Sequence, residues 1–311
     1  MCGICGCGDA LHDASHRHAH AYGGDFVHKH DHPHGHDEFE HTHDHHHTHG
    51  ESDGGEHSHD HDHDHPSARL IRIEQDILGR NNALAEANRA VFLERGILAL
   101  NLMSSPGSGK TTLLARTIRD LSQKASIAVI EGDQQTSFDA ERIARAGAPA
   151  YQVNTGKGCH LDAQMIEHAV SHLRPVEDSV LFIENVGNLV CPAAFDLGEA
   201  ARIVILSVTE GEDKPLKYPD MFAQADLLII NKIDLLPHLV FDVEKCLSYA
   251  GKINPSLQSI LLSAATGEGM EQWEGWILAK SKETLARRAE ALAAKLAEIR
   301  KKIEPCALED F

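Results

Sequence analysis

The nine residues Ser104–Thr112, with the sequence SSPGSGKTT, restrict the fold of this chain more than any other segment. An apolar run precedes them and a helical pattern follows, which is the strand–loop–helix setting of a phosphate-binding P-loop. Gly107 and Gly109 allow backbone N–H groups to turn toward phosphate oxygens at the N-terminus of a helix. We therefore predict a nucleotide site in which Lys110 reaches the β- and γ-phosphates and the Thr111 hydroxyl binds Mg²⁺.

The same loop departs from the general motif at its first position, where Ser104 stands instead of glycine. Ser108 and Thr112 are also predicted to contact the nucleotide. The alternative interpretation is a glycine-rich turn without function.

Short β-type runs alternate with helical segments from Ile97 onward. The candidate strands are 98–103, 127–131, 150–153, 180–184, 203–208, 227–231 and 260–262, and a long helix is predicted near 270–301. This alternation predicts an α/β fold of the P-loop NTPase type, with a mostly parallel sheet and helices on both of its faces. Ligands of such sheets bind at the carboxyl ends of the strands, where the motifs of this chain fall.

Four segments are predicted along the chain. They are a cysteine motif at 1–8, a histidine-rich region at 9–66, a leading helix at 67–96 that Gly96 ends, and a P-loop GTPase domain at 97–311.

Asn231-Lys232-Ile233-Asp234 follows a buried apolar strand. A carboxylate at this position can accept hydrogen bonds from the ring N–H and amino group of guanine, a donor pair that adenine lacks. Asp234 is therefore predicted to select GTP, with Asn231 bracing neighbouring loops and the Lys232 stem covering the base. Ser263 and Ala264, after the next strand, complete this predicted site. The alternative is a helix cap beside a surface lysine.

Asp133 and Glu184 end two predicted strands and are candidate carboxylates for Mg²⁺. Gly187 is placed to sense the γ-phosphate through its N–H. The next residue is Asn188 rather than glutamine, so the sequence offers no evident group to position water. We predict slow intrinsic GTP hydrolysis unless a partner or dimerisation completes the site. Asp133 and Glu184 could instead be strand-end caps.

The histidine-rich region holds 20 of the chain's 24 histidines within residues 1–65, together with 14 acidic and two basic residues. Its few apolar side chains cannot offset the entropy of ordering, so it is predicted to be disordered without metal. Imidazoles interleaved with carboxylates favour binding of several divalent ions. A tag and a solvated spacer are the alternative interpretations.

Cys2, Cys5 and Cys7 place three thiols in six residues, which suits Ni²⁺ or Zn²⁺. A reactive, redox-labile tail is the alternative. The start has no basic or apolar signal region, and no apolar run reaches the length of a membrane span, so a cytoplasmic protein is expected. Residues 1–65 carry a net charge of −12 of the total −18, and the acidic balance of the remainder argues against a nucleic-acid partner.

A third candidate metal site combines Cys159 and His160 with Cys191. Both segments are predicted to leave the carboxyl ends of neighbouring strands, so that three ligands converge. Cys191 shares a loop with Gly187, so the γ-phosphate could deform this site. Burial of these cysteines in the core is the alternative. Cys246 is expected to be buried, and Cys306 to be incidental.

These motifs together resemble the family of hydrogenase nickel-incorporation GTPases, HypB. The resemblance covers nearly the whole chain and rests on the N-terminal cysteines, the histidine-rich stretch, 104–112, 158–160, 184–192 and 231–234. Ser104 and Glu184 fit this family's version of the motifs.

The resemblance implies a GTPase that dimerises across its nucleotides and helps insert Ni²⁺ into the large-subunit precursor of [NiFe]-hydrogenase. It implies a Ni²⁺ site at Cys2, Cys5 and Cys7 and a Ni²⁺ or Zn²⁺ site at Cys159, His160 and Cys191. The partners it implies are the companion chaperone HypA, the hydrogenase precursor and the prolyl isomerase SlyD. The histidine tract implies nickel storage.

Three other interpretations compete with this one, two from the same class of GTPases and one from a different class. The urease-maturation GTPase UreG is similar in fold but carries Cys-Pro-His, whereas Ala193 follows Cys191-Pro192 here. Related cobalamin- or zinc-linked GTPases carry Cys-x-Cys-Cys, which is absent from this sequence. A metal buffer with the nucleotide domain as a scaffold is the remaining alternative, and it would not need Lys110, Thr111 and Asp234.

Overall fold

The structure, a computed structural model, describes residues 16–22, 26–32, 66–133, 138–156 and 158–303. Cys2, Cys5, Cys7 and Cys306 lie outside these residues, so the predictions for them remain predictions. The strands are β1 (His16–Tyr22), β2 (Phe26–His32), β3 (Leu98–Ser104), β4 (Ile127–Asp133), β5 (Ala150–Asn154), β6 (Val180–Glu184), β7 (Ala201–Ser207), β8 (Leu227–Asn231) and β9 (Gln258–Leu261).

The helices alternate with the later strands. They are α1 (Pro66–Arg95), α2 (Lys110–Leu121), α3 (Phe138–Ala146), α4 (Ala163–Leu173), α5 (Cys191–Ala194), α6 (Lys214–Lys217), α7 (Pro219–Ala223), α8 (Val243–Ile253) and α9 (Met270–Ile303), with a 3₁₀ segment at Ile233–His238.

Seven strands form one parallel sheet in the order β5-β4-β6-β3-β7-β8-β9. Strands β3, β6 and β8 are buried along their whole length, since helices cover both faces and leave no side of these strands to water. The predicted α/β fold is therefore confirmed, and all seven predicted strands are present with ends shifted by up to two residues.

One prediction about the sheet is wrong. The segments carrying Cys159 and Cys191 follow β5 and β6, and these strands are not neighbours because β4 lies between them. The loop after β5 reaches β6 by crossing the end of β4, where Leu161 packs directly on Gly132. A Cβ on Gly132 would lie 2.9 Å from the Leu161 side chain, so glycine makes the crossing possible.

Strands β1 and β2 form a separate antiparallel pair within the histidine-rich region, in register from His16 opposite His32 to Tyr22 opposite Phe26. The sequence predicts no regular structure here. The pair coincides with Tyr22, Phe26 and Val27, which are among the few residues of this region with high β propensity.

Two long helices flank the domain. Helix α1 packs on α4 and α9 and ends before Gly96, whose φ of 66° is the left-handed conformation common after helices. Helix α9 is anchored by buried Trp273 and Ile277, while Leu292 and Ile303 further along are exposed. Among the described residues, none of the helices combines the length and apolar character of a membrane span.

Candidate functional site

A cavity of about 530 Å³ opens at the carboxyl ends of β3, β4 and β6. It lies where a doubly wound sheet binds its ligand. Its walls include Gly107, Gly109, Lys110, Thr111, Thr112, Glu131, Asp139, Arg142, Glu184, Gly187 and Lys232. Most of the residues predicted to bind phosphate therefore line one cavity.

The Ser104 hydroxyl is the centre of a hydrogen-bond cluster inside the P-loop. It accepts hydrogen bonds from Lys110 Nζ at 2.8 Å and Ser108 Oγ at 2.6 Å, and it donates to Ser105 O at 2.7 Å. Burial lowers the pKa of Lys110, against the opposing effect of nearby carboxylates led by Glu184. Gly107 and Gly109 have φ of 75° and 97°, which residues with side chains rarely adopt.

The end of β8 and the residue after it contact the P-loop, and Lys232 lines the cavity. Asn231 Nδ2 donates to Ser108 O at 2.9 Å, and Asn231 Oδ1 accepts from Ala264 N at 3.1 Å, so this side chain joins the P-loop to the loop after β9. Lys232 Nζ donates to Gly107 O at 2.7 Å and crosses the P-loop. Asp234 Oδ1 is buried without a hydrogen-bond partner among the described residues, as expected for an acceptor that awaits a ligand.

Thr111 and Glu184 meet at the floor of the cavity. Thr111 Oγ1 donates to Glu184 Oε1 at 2.7 Å, and Glu184 Oε2 is buried without a described partner. Burial raises the pKa of Glu184 to about 7, although Lys110 and the Thr111 hydroxyl oppose the shift. A hydroxyl and a carboxylate are the hard oxygen donors that Mg²⁺ prefers, so this pair fits that ion. Asp133 ends β4, but its side chain lies outside the described part of the structure.

The sequence interpretation missed three charged residues of the cavity wall, Glu131, Asp139 and Arg142. Glu131 lies two residues before Asp133 on the same strand, so the period of two along a strand could have marked it as a further candidate. Asp139 and Arg142 lie on α3, whose strong polar–apolar division indicated one solvent-facing side. Nothing in the sequence showed that this side faces the P-loop.

The three predicted ligands of the inner metal site lie together. The ligand atoms of Cys159, His160 and Cys191 are all within 4.8 Å of one another. The two sulfur atoms are 2.9 Å apart, and Cys159 Sγ lies 3.7 Å from His160 Nδ1. The His160 ring stacks on Phe195 at 3.9 Å between centroids, and burial lowers its pKa, which favours the neutral form that binds metals. Two sulfurs and one imidazole suit a late transition metal.

The loop between β6 and α5 contacts both sites. A Cβ on Gly187 would lie only 3.1 Å from Pro106 Cα of the P-loop, so the loop passes too close to the P-loop to leave comfortable room for a side chain. On the metal side, Asn188 Nδ2 donates to Cys159 O at 3.4 Å and Asn185 Oδ1 accepts from Leu161 N at 3.2 Å. The loop thus connects the phosphate-binding end of the cavity to the cysteine pair.

Cys246 is fully buried on α8, in agreement with the prediction. Burial raises the pKa of its thiol to about 12, and Glu212 and Glu210 add to the shift. A thiol of this kind is a core side chain rather than a ligand.

Comparison with known proteins agrees with this geometry. A family model described as CobW/HypB/UreG, nucleotide-binding domain, matches residues 98–260. The hydrogenase maturation factor HypB of Azotobacter vinelandii is 60% identical over 225 residues, which cover 72% of this chain and 74% of that protein. The factor of the same name from Escherichia coli K12 is 61% identical over 209 residues, covering 67% and 72%.

Among solved structures, HypB from Helicobacter pylori in complex with nickel is 41% identical, with a TM-score of 0.62 over 66% of this chain and 96% of that one. HypB from Archaeoglobus fulgidus is 43% identical and has the same TM-score, over 65% of this chain and 99% of that one.

Proposed function

This chain belongs to the HypB family of hydrogenase maturation factors, and from that premise we propose that it is a GTP-hydrolysing nickel metallochaperone. In this proposal it helps insert Ni²⁺ into the large-subunit precursor of [NiFe]-hydrogenase. Nickel is the cargo of the reaction, and GTP is the nucleotide whose hydrolysis controls its delivery.

The cavity supports GTP as the nucleotide. Lys110 lies at the start of α2, where the helix N-terminus adds positive character to the phosphate site. Asp234 Oδ1 is buried and lacks a described partner, so it is ready to accept the paired N–H donors of guanine. The bracing of Asn231 against Ser108 and Ala264 fixes the distance between the phosphate and base ends.

The catalytic residues proposed for hydrolysis are Lys110, Thr111, Asp133 and Glu184. Mg²⁺, when held by Thr111 and the carboxylates, would neutralise charge on the β- and γ-phosphates. Entry of phosphate would transfer the Lys110 ammonium from Ser104 to the nucleotide, and a divalent cation beside Glu184 would favour its carboxylate form against the effect of burial. Asn188 is the residue after Gly187, so we expect slow turnover in the monomer and faster turnover in a GTP-dependent homodimer.

The cargo site is proposed at Cys159, His160 and Cys191, with Ni²⁺ or Zn²⁺ as the ion. The convergence of the three ligand atoms supports it, as does the nickel complex of the Helicobacter pylori relative. A second Ni²⁺ site at Cys2, Cys5 and Cys7 and nickel storage by residues 9–66 belong to the same proposal. So do its partners, which are HypA, the hydrogenase precursor and SlyD, and its place in the cytoplasm.

The single observation that carries the proposal is the loop between β6 and α5, which contacts Pro106 at Gly187 and begins α5 at Cys191. A change at the phosphates therefore has a direct path to one of the two sulfur ligands.

The test is equilibrium dialysis of Ni²⁺ and Zn²⁺ with GDP and with a non-hydrolysable GTP analogue. The proteins compared are the wild type, a Cys2/Cys5/Cys7 triple Ala variant and Cys191→Ala. We expect nickel affinity to depend on the nucleotide in the wild type and in the triple variant, and not in Cys191→Ala. Equal affinity with both nucleotides in all three would refute the coupling. If Lys110→Ala retained full hydrogenase maturation under limiting nickel, the chain would be a buffer instead.

A further inference from the structure

Helix α1 joins the histidine-rich region to the nucleotide domain, and one of its faces lies against both segments of the cysteine–histidine site. Asn81 and Asn88, two turns apart on this face, are 5% and 6% exposed. Burial of an amide is costly unless its polar atoms form hydrogen bonds, so the partners of these two asparagines show which segments they hold in place.

Each asparagine bonds to both segments. Asn81 Oδ1 accepts from Ala163 N at 2.9 Å, while its Nδ2 donates to Asp196 O at 2.7 Å. Asn88 Nδ2 donates to Ala163 O at 2.9 Å and to Leu197 O at 3.1 Å. Ala163 is therefore held through both its N–H and its carbonyl.

These partners are close in sequence to the ligands. Ala163 comes three residues after His160, and Asp196 comes five residues after Cys191. The His160 ring also stacks on Phe195, the residue before Asp196. The asparagines thus fasten the segment after β5 and the segment after β6 to the same helix, at the point where their ligands must meet.

Two further contacts fix the second segment on α1. Arg89 Nη2 donates to both carboxylate oxygens of Asp196, at 2.8 and 2.7 Å. A Cβ on Gly198 would lie 2.5 Å from Ala85 O and 2.7 Å from Asn88 Cβ, and its φ is 87°. Only glycine allows the segment to pack this closely on the helix.

We propose that Asn81 and Asn88 are positioning residues for the metal site, so that docking of α1 and cation binding by Cys159, His160 and Cys191 are thermodynamically linked. The inference rests on the proposed binding of Ni²⁺ by these three residues. A cation bound by both segments holds them together and so stabilises the four hydrogen bonds to α1. Conversely, displacement of α1 frees both segments and lowers their affinity for the ion. By linkage the two effects have the same magnitude.

The first test measures nickel affinity in the full-length chain with Cys2, Cys5, Cys7 and Cys306 changed to Ser. In that background the thiolate-to-nickel charge-transfer band reports on Cys159 and Cys191, because imidazole ligands of the histidine-rich region do not give it. Dissociation constants come from titration against a competing chelator. Mant-GDP binding is recorded for every variant, so that a general loss of folding is recognised.

The variants are Asn81→Ala, Asn88→Ala and Asn88→Asp, with exposed Asn82→Ala on the same helix as the matched control. Asn88→Asp keeps the size of the side chain but replaces the N–H donor with a carboxylate oxygen that the carbonyls of Ala163 and Leu197 repel, so it breaks the two bonds without opening a cavity. We expect the dissociation constant for Ni²⁺ to rise at least tenfold, about 1.4 kcal/mol, in the first three variants. Asn82→Ala should stay within twofold of the background, and mant-GDP affinity should be unchanged throughout.

The second test needs no substitution on α1. Amide hydrogen exchange over residues 78–92 is measured with and without Ni²⁺, in the cysteine-to-serine background and with Cys191→Ser added. Nickel should slow exchange on α1 in the first protein and not in the second.

The outcomes separate the two proposals. A background protein without a charge-transfer band would refute nickel binding by the three residues, which is the proposed function. A normal band, with the Asn81 and Asn88 variants indistinguishable from Asn82→Ala and exchange on α1 unchanged by nickel, would refute the linkage alone.

Discussion

At the scale of single residues, Ser104 is the hydrogen-bond partner of Lys110, the lysine that is expected to contact the phosphates of a bound nucleotide. Its hydroxyl accepts from the Lys110 ammonium at 2.8 Å in a buried setting. Hydrogen bonds to charged groups contribute more to stability than those between neutral groups. The serine is thus well suited to satisfy Lys110 while no nucleotide is present.

We predict that Ser104→Ala lowers the free energy of unfolding of the nucleotide-free protein by about 1.5–3 kcal/mol. The loss should shrink in saturating GDP, because the β-phosphate then replaces the serine as the partner of Lys110. Chemical denaturation with and without GDP measures both values. Ser105→Ala, which leaves the bond between Ser104 and Lys110 in place, is the control. An equal loss in both conditions would contradict this role.

Cys246 should resist alkylation in the folded protein. Its pKa of about 12 keeps the thiol protonated at pH 7 and at pH 9, whereas an ordinary cysteine with a pKa of about 8.5 becomes largely thiolate over that interval. Peptide mass spectrometry after iodoacetamide treatment should find Cys246 unmodified at both values and fully modified in denaturant. Native modification at pH 9 as complete as in denaturant would show the thiol to be accessible and its pKa ordinary.

Some residues of the site could be named from the sequence because a short motif holds them. Lys110, Thr111 and Asp234 belong to runs whose spacing alone gives their chemistry. Arg142 and Asn88 could not be named, since their importance comes from contacts with residues distant in sequence. An asparagine on a helix has many possible partners, and only the fold selects one.

At the scale of elements, all seven strands of the main sheet were predictable because short runs rich in apolar and β-branched residues alternate with helical segments. The order of the strands was not. The order depends on how each crossover connection passes over the sheet. The placement of β4 between β5 and β6 can be recognised locally at Gly132, where the lack of a side chain leaves room for Leu161.

Helix α9 is attached to the domain mainly through its first half. Trp273 is 1% exposed, and its Nε1 donates to Thr117 Oγ1 on α2 at 2.9 Å. Trp273→Phe should lower the free energy of unfolding by about 1–3 kcal/mol, because it removes this buried bond and part of the ring. Trp276→Phe, which affects an exposed bond to Gln258, should cost less. Equal losses in urea denaturation would mean that the buried bond does not anchor the helix.

At the scale of the whole molecule, the chain has two parts of different chemistry. Residues 1–65 carry −12 of the net charge of −18 and 20 of the 24 histidines. The described residues that line the nucleotide cavity or form the inner cysteine–histidine site all lie after residue 66. The two parts should therefore be separable in their ligand binding.

Deletion of residues 9–65 should reduce the number of Ni²⁺ ions bound per chain and leave the affinity for mant-GDP within twofold. The remaining nickel should fall further when Cys191 and the three N-terminal cysteines are changed to Ala. Equilibrium dialysis at pH 7 counts the ions. An unchanged nickel count would remove the storage role of the histidine tract, and a loss of nucleotide binding would show that the two parts depend on each other.

Because Gly187 lies close to Pro106, a movement at the phosphate site would displace the loop between β6 and α5 more easily in one direction than in the other. Two segments that pass too close for a side chain between them resist compression and offer little resistance to separation. In the proposed coupling, swelling of the phosphate pocket would push the loop toward the sulfur ligands, whereas its contraction would not pull the loop back. The contacts that would restore the loop lie on its far side, where Leu161 N donates to Asn185 Oδ1 and Asn188 Nδ2 donates to Cys159 O.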